Sequence, residues 1–209
     1  AEIAAYMQSD PVAETLDKDA AGDAHLQAVE DAVYDIVRKE GVDGVQVDVV
    51  RSADDLLEYA RGHNWHPEDI QEIGQGILKP GYYGDGEITI LASLIKNRKT
   101  VAGVFWHERT HGITDKLRAP EQLTQAAEEA GAELLDAALA DRGYSTGHHS
   151  MERMADEYVS RGVEILAKKG MLDDYLAIPE AGIEPIEAHL TERNVPDMLR
   201  GFIIDSCKY

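Results

Sequence analysis

A chain of 209 residues, 44% hydrophobic with 18 glycines and 7 prolines, is long enough for one ordinary globular core and is not composed like a disordered polymer. Its formal net charge of −20 argues against nucleic acid or an anionic membrane surface as partner, because both would be repelled unless a basic patch were segregated. The densest basic run, Lys96-Asn97-Arg98-Lys99, is short, and no apolar run approaches the roughly 18 residues that a membrane-spanning helix needs.

In chain order, residues 1–20 mix polar and small side chains without sustained periodicity and are expected to form a loosely packed lead-in to a single domain covering 1–209. Leu26, Val29, Val33, Ile36 and Val37 recur at helical spacing and predict a helix over 22–40 that stops at Gly41. The alternating, β-branched "VQVDVV" predicts a strand over 45–50. Ser52 as N-cap, with acidic residues behind it and Gly62 as a stop, predicts the next helix, and Pro67 opens a shorter one.

Residues 77–93 predict a hairpin turning at Gly84-Asp85-Gly86, and its second arm leads through "KNRKT" into a helix over about 100–117. After Pro120, helices are expected at 121–142, 150–169 and 184–205, the first two separated by the turn-rich "DRGYSTGHH". Early strands and late helices give an α+β pattern. The expected arrangement is a small mixed sheet whose hairpin packs on the 100–117 helix, with a helical C-terminal half.

That helix carries "VFWHERTHGITD". His107 and His111 stand four apart, one turn above each other on one face, so both imidazoles can converge on one ion. Glu108 is rotated by about 100° and suits work on a water molecule rather than direct ligation. Zn2+ is the expected cofactor, and the division of labour suits hydrolysis of a peptide or protein substrate with Glu108 as general base.

A catalytic zinc needs a third protein ligand and an open position. A third histidine six residues beyond His111 is absent, since position 117 is leucine, which leaves a glutamate from a later helix. In "SMERMADEYVSRG", Glu152 and Asp156 lie four apart, so Glu152 is the preferred third ligand and Asp156 is expected to orient His107 or His111. The competing assignment is Glu129, with Glu133 four residues on; the bland alternative for the acidic pair is a solvated face. His149 or His148, in the loop before Glu152, and Tyr144 or Tyr158 are candidates to donate a hydrogen bond to a tetrahedral oxyanion, with His149 and Tyr144 preferred.

His107-Glu108-Arg109-Thr110-His111-Gly112-Ile113-Thr114-Asp115 resembles the active-site helix of the zincin metallopeptidases, in a form close to that of thermolysin-like enzymes. The resemblance implies a zincin-like fold, His107 and His111 as zinc ligands, Glu108 as general base, and Asp115 as a supporting or calcium-binding carboxylate. Glu152-Arg153-Met154-Ala155-Asp156 is similar to the "ExxAD" element of HtpX-type and CAAX-protease-type gluzincins. Residues 77 to 118 are similar to metallopeptidase-like domains embedded in very large multidomain proteins of phages and conjugative elements.

The chain opens at Ala1 with neither the basic start nor the apolar core of a signal peptide, so a cytoplasmic protein, or a domain delivered from a larger precursor, is expected. The lone Cys207 can form no internal disulfide, which fits a reducing compartment. Two readings from other classes remain open at this point. One is a zinc-stabilised interaction module without catalysis; the other is an acidic decoy that binds a nucleic-acid-binding protein.

Overall fold

The computed structural model describes residues 22–40, 45–84, 86–173 and 179–208, so the expected lead-in over 1–20 and the stop at Gly41 lie outside the described residues. They are mostly helical, with a small three-stranded mixed sheet, which is an α+β composition. By contacts the chain divides into two compact units, one up to Phe105 and one from Trp106 onward. The division falls inside a continuous helix, where no change of composition marks it.

The first unit begins with α1 (Asp23–Glu40), which buries Val29, Ala32 and Val33, and continues into β1 (Gln46–Val50). Helix α2 (Ala53–Gly62) starts where the sequence predicts. Ser52 Oγ accepts from Asp55 N at 3.2 Å while the Asp55 carboxylate accepts from Ser52 N at 3.1 Å, a reciprocal cap that satisfies two backbone donors otherwise left over at a helix start. Helix α3 (Pro67–Gly74) follows, with its proline in the first turn, where no N–H is needed.

The hairpin arms are β2 (Gly81–Gly84) and β3 (Glu87–Leu91), so the first is shorter than the periodicity implied, and Asp85 of the expected turn lies outside the described residues. Strand order is β1-β3-β2, with β3 antiparallel to β2 and parallel to β1. The central strand is buried on both faces, from Ile88 through Leu91, with Thr89 as the buried polar residue among them. Val50, Leu56, Ala60, Ile73 and Leu91 form a core beneath it; Tyr82 packs there too, with its ring 5.3 Å from that of Trp65.

Helix α4 (Arg98–Leu117) carries the HExxH motif. The second unit continues with α5 (Pro120–Ala130), α6 (Ala132–Leu139), a 3-10 turn at Ala140–Arg142, α7 (Met151–Lys168), α8 (Pro179–Glu192) and α9 (Asp197–Lys208). Two of the three helices expected after Pro120 are therefore pairs. Gly131 adopts φ 85°, a conformation only glycine takes freely, and breaks 121–142 into α5 and α6. Asn194 at φ 54° lies two residues before Pro196, in the break between the end of α8 at Glu192 and the start of α9 at Asp197.

Helix α7 is the pillar of this unit and packs against α5, α6 and α9. Ala155, Val159, Val163 and Leu166 form its apolar stripe. A glycine lets it approach α9 closely: a Cβ at Gly162 would lie 2.5 Å from Ile203 Cδ1. Beside the apolar stripe runs a second one that is polar yet equally buried, Asp156, Glu157, Ser160 and Glu164. Four polar side chains out of water on one helix need partners, and they find them on α4 and in the 140–149 loop.

Candidate metal centre

On α4 the sequence spacing does what helical geometry requires. The rings of His107 and His111 lie 4.9 Å apart at 80° to each other, and their Nε2 atoms approach to 3.2 Å. Thr110 between them turns its hydroxyl back on its own helix, donating to the Trp106 carbonyl at 2.6 Å, and so takes no part in the convergence.

The other ring nitrogens are turned toward α7. His111 Nδ1 lies 2.7 Å from Asp156 Oδ2, with Ser160 Oγ at 3.3 Å, and His107 Nδ1 lies 3.2 Å from Glu164 Oε2. Asp156 favours the His111 tautomer with hydrogen on Nδ1, which turns the His111 Nε2 lone pair toward His107 Nε2. Lone pairs 3.2 Å apart repel unless a proton or a cation sits between them.

The third wall of that spot is Glu157. Its Oε2 lies 3.5 Å from His107 Nε2 and its Oε1 3.7 Å from His111 Nε2. Among the described residues, His107, His111 and Glu157 are the set of histidine, cysteine and acidic side chains whose ligand atoms all fall within 4.8 Å of one another. Ligand atoms roughly 2.0–2.1 Å from a tetrahedral ion sit about 3.3 Å apart, close to the 3.2 Å between the two Nε2 atoms and the 3.5 Å from His107 Nε2 to Glu157 Oε2.

The electrostatics describe the same site. Burial alone would push His107 down, but the carboxylates of Glu157 and Glu164, with the charge of Glu108, carry it up to about 9. Burial likewise disfavours the charged forms of Glu157 and Glu164, and is outweighed in both. His107, His111 and Arg153 hold Glu157 well below the usual carboxylate range, and His107, Lys168 and Arg142 do the same for Glu164. The site is built to hold positive charge among ionised carboxylates.

Around Glu157, the Tyr144 hydroxyl donates to Oε1 at 2.7 Å and Arg153 Nη2 reaches the same oxygen at 2.7 Å. That leaves Oε2 for the spot between the histidines. Burial and the neighbouring Glu157 charge push Tyr144 up to about 12, so it remains a donor at every working pH.

The sequence candidates divide accordingly. His107, His111, Asp156 and Tyr144 are gathered here, and Glu108 is buried next to His107. Glu152 lies outside the ligand set, and the reason is helical phase: five residues before Glu157 it is turned about 140° away around α7. Glu129 is exposed on α5 and also lies outside the set. His149 is occupied with its own loop, its Nδ1 3.2 Å from Ser145 N, and its ring lies 4.8 Å from that of Tyr144, tilted by 45°. The Asp115 carboxyl is raised by partial burial and by the Asp156 charge, against His111 and Arg153, which places it at the margin of this cluster.

Glu157, Glu164, Ser160, Arg142 and Arg153 are the residues that sequence reasoning missed. The usable signal was a spacing: Glu157, Ser160 and Glu164 recur at three and four residues along one face of a helix that also carries a full apolar stripe. Comparison of the chain with protein-family models, with curated proteins and with solved structures finds no match in any of the three.

Proposed function

We propose that the chain is a zinc-dependent peptidase of zincin-like fold, with His107, His111 and Glu157 as its metal ligands. The observation that carries this reading is the convergence of two HExxH imidazoles and a buried glutamate from a later helix, the donor set of a gluzincin-type centre, with both Nδ1 atoms backed by carboxylates.

Zinc held there would polarise a scissile carbonyl and acidify a water beside it. Glu108, buried and near enough for its charge to act on His107, takes the proton of the attacking water and returns it to the leaving amine. Asp156 keeps His111 in the tautomer that leaves Nε2 free. Tyr144 and Arg153 hold Glu157 by one oxygen and leave the other for the ion.

Zinc retention and peptide hydrolysis must separate in Glu108→Gln. The variant should bind one zinc per chain like the wild type and lose turnover by about 10²-fold or more, the size of a general-base contribution. Activity that survives this change contradicts the mechanism. A competing reading, a structural zinc in a module without catalysis, is favoured by the burial of His111 and Glu157 at 8% and 4% exposure; it predicts that neither the wild type nor Glu108→Gln cleaves peptides, while both need the metal to stay folded.

A further inference from the structure

Each ring nitrogen of His107 faces a carboxylate of α7. Glu157 stands at Nε2, and Glu164, seven residues and about two turns further along, stands across the ring at Nδ1, 3.2 Å away. The Nδ1 atom is buried without an aligned hydrogen bond, and Glu164 is 3% exposed. A buried N–H is costly without an acceptor, and the Glu164 carboxylate stands beside this one.

Glu164 is also fixed from its far side. Arg142 Nη2 grips both carboxylate oxygens, at 2.7 and 2.9 Å, and Lys168, one turn on, pairs with Oε1. Two cations on one buried carboxylate offset its charge and pin its plane. The turn that carries Arg142 is itself tied to α7 by the pair of Asp141 with Arg161 at 2.6 Å. The same loop sends Tyr144 to Glu157, so one segment steadies the carboxylates on both sides of His107.

We propose that Glu164, held by Arg142 and Lys168, is a positioning residue that orients His107: it takes the Nδ1 hydrogen and so points the Nε2 lone pair at the metal. The proposal rests on the metal-site reading above and adds to it a residue that ligates nothing. Orienting carboxylates of this kind are worth about 10- to 100-fold in metal affinity.

The test uses Co2+ as a spectroscopic probe on the full chain, with wild type, Glu164→Gln, Arg142→Gln and Arg142→Lys compared by visible absorption and chelator competition, and the fold of each checked by circular dichroism. Glu164→Gln should stay folded, bind cobalt about 10- to 100-fold more weakly and shift its ligand-field bands, because the ring is no longer held. Arg142→Gln should weaken binding in the same direction, and Arg142→Lys should recover part of the loss. A merely structural Glu164 would lower stability and leave the bands of the bound cobalt in place. Wild-type affinity and bands in Glu164→Gln overturn the proposal. If Glu164→Gln does not fold, Arg142→Gln decides, and wild-type binding there overturns it equally. A wild type that takes up no cobalt contradicts the metal site itself and removes the proposal with it.

Discussion

His111 Nδ1 and Asp156 Oδ2 meet at 2.7 Å, and this bond between α4 and α7 leaves Nε2 as the His111 ring nitrogen that faces His107 and Glu157. Replacing Asp156 by asparagine keeps the shape and removes the charge. Zinc affinity should fall about 10- to 100-fold, measured by competition with a chromophoric chelator. Asp156→Ala should in addition destabilise the fold by about 1–3 kcal/mol, since a buried N–H loses its acceptor. Unchanged affinity in both variants would mean that the bond does not set the tautomer.

The metal-free protein should show a narrow pH window of greatest stability. His107 is carried from its ordinary 6.5 up to about 9 in the folded state, so its contribution is complete below 6.5 and is lost as pH rises through 9. Glu157 and Glu164 are held below their ordinary 4.5, so their contributions are complete above 4.5 and are lost as pH falls below it. Thermal melts in chelator should therefore give the highest Tm between pH 4.5 and 6.5. Added zinc, which needs the imidazoles unprotonated, should raise Tm more at pH 8 than at pH 6. A metal-free Tm that climbs steadily to pH 9 would contradict this.

Tyr144 and Arg153 reach the same oxygen of Glu157. Tyr144→Phe and Arg153→Gln should each weaken zinc binding by a factor of up to about 10, and the double variant by less than the product, because groups that share a partner are coupled. A double-mutant cycle on zinc affinity measures this. Strict additivity would show that the two do not act through Glu157.

Gly162 sits against α9 with no room for a side chain: an added Cβ would be 2.5 and 2.9 Å from Ile203 Cδ1 and Cγ1. Gly162→Ala should destabilise the fold by about 1–3 kcal/mol, as overpacking does, read from the midpoint of urea unfolding. Ile203→Val in the same chain should recover part of that loss. A neutral Gly162→Ala would mean that the two helices separate at little cost.

Much of this architecture was legible in the sequence because its signals are local. The N-cap of α2, the β-branched run of β1 and the HExxH spacing each lie within a few residues, and all appear where the pattern puts them. The break at Gly131 was hidden by the strong helix formers on both sides of it, and only the positive φ reveals it. Asn194 and Pro196 were visible punctuation, overridden by an apolar periodicity that runs through both helices. At the site, the spacing of Glu152 and Asp156 pointed to α7 and to Asp156 as a histidine partner. It could not give the rotation of α7 against α4, and that rotation brings Glu157 and Glu164 to the imidazoles.

The most direct measurement is zinc content by mass spectrometry on the purified chain after reconstitution, beside His107→Ala, Glu157→Gln and Glu152→Ala, each verified as folded. The account predicts one zinc per chain in the wild type and in Glu152→Ala, and zinc lost or greatly weakened in His107→Ala and Glu157→Gln. A wild type without zinc, or a Glu157→Gln variant that keeps it at full affinity, would contradict the central claim that His107, His111 and Glu157 form a metal site.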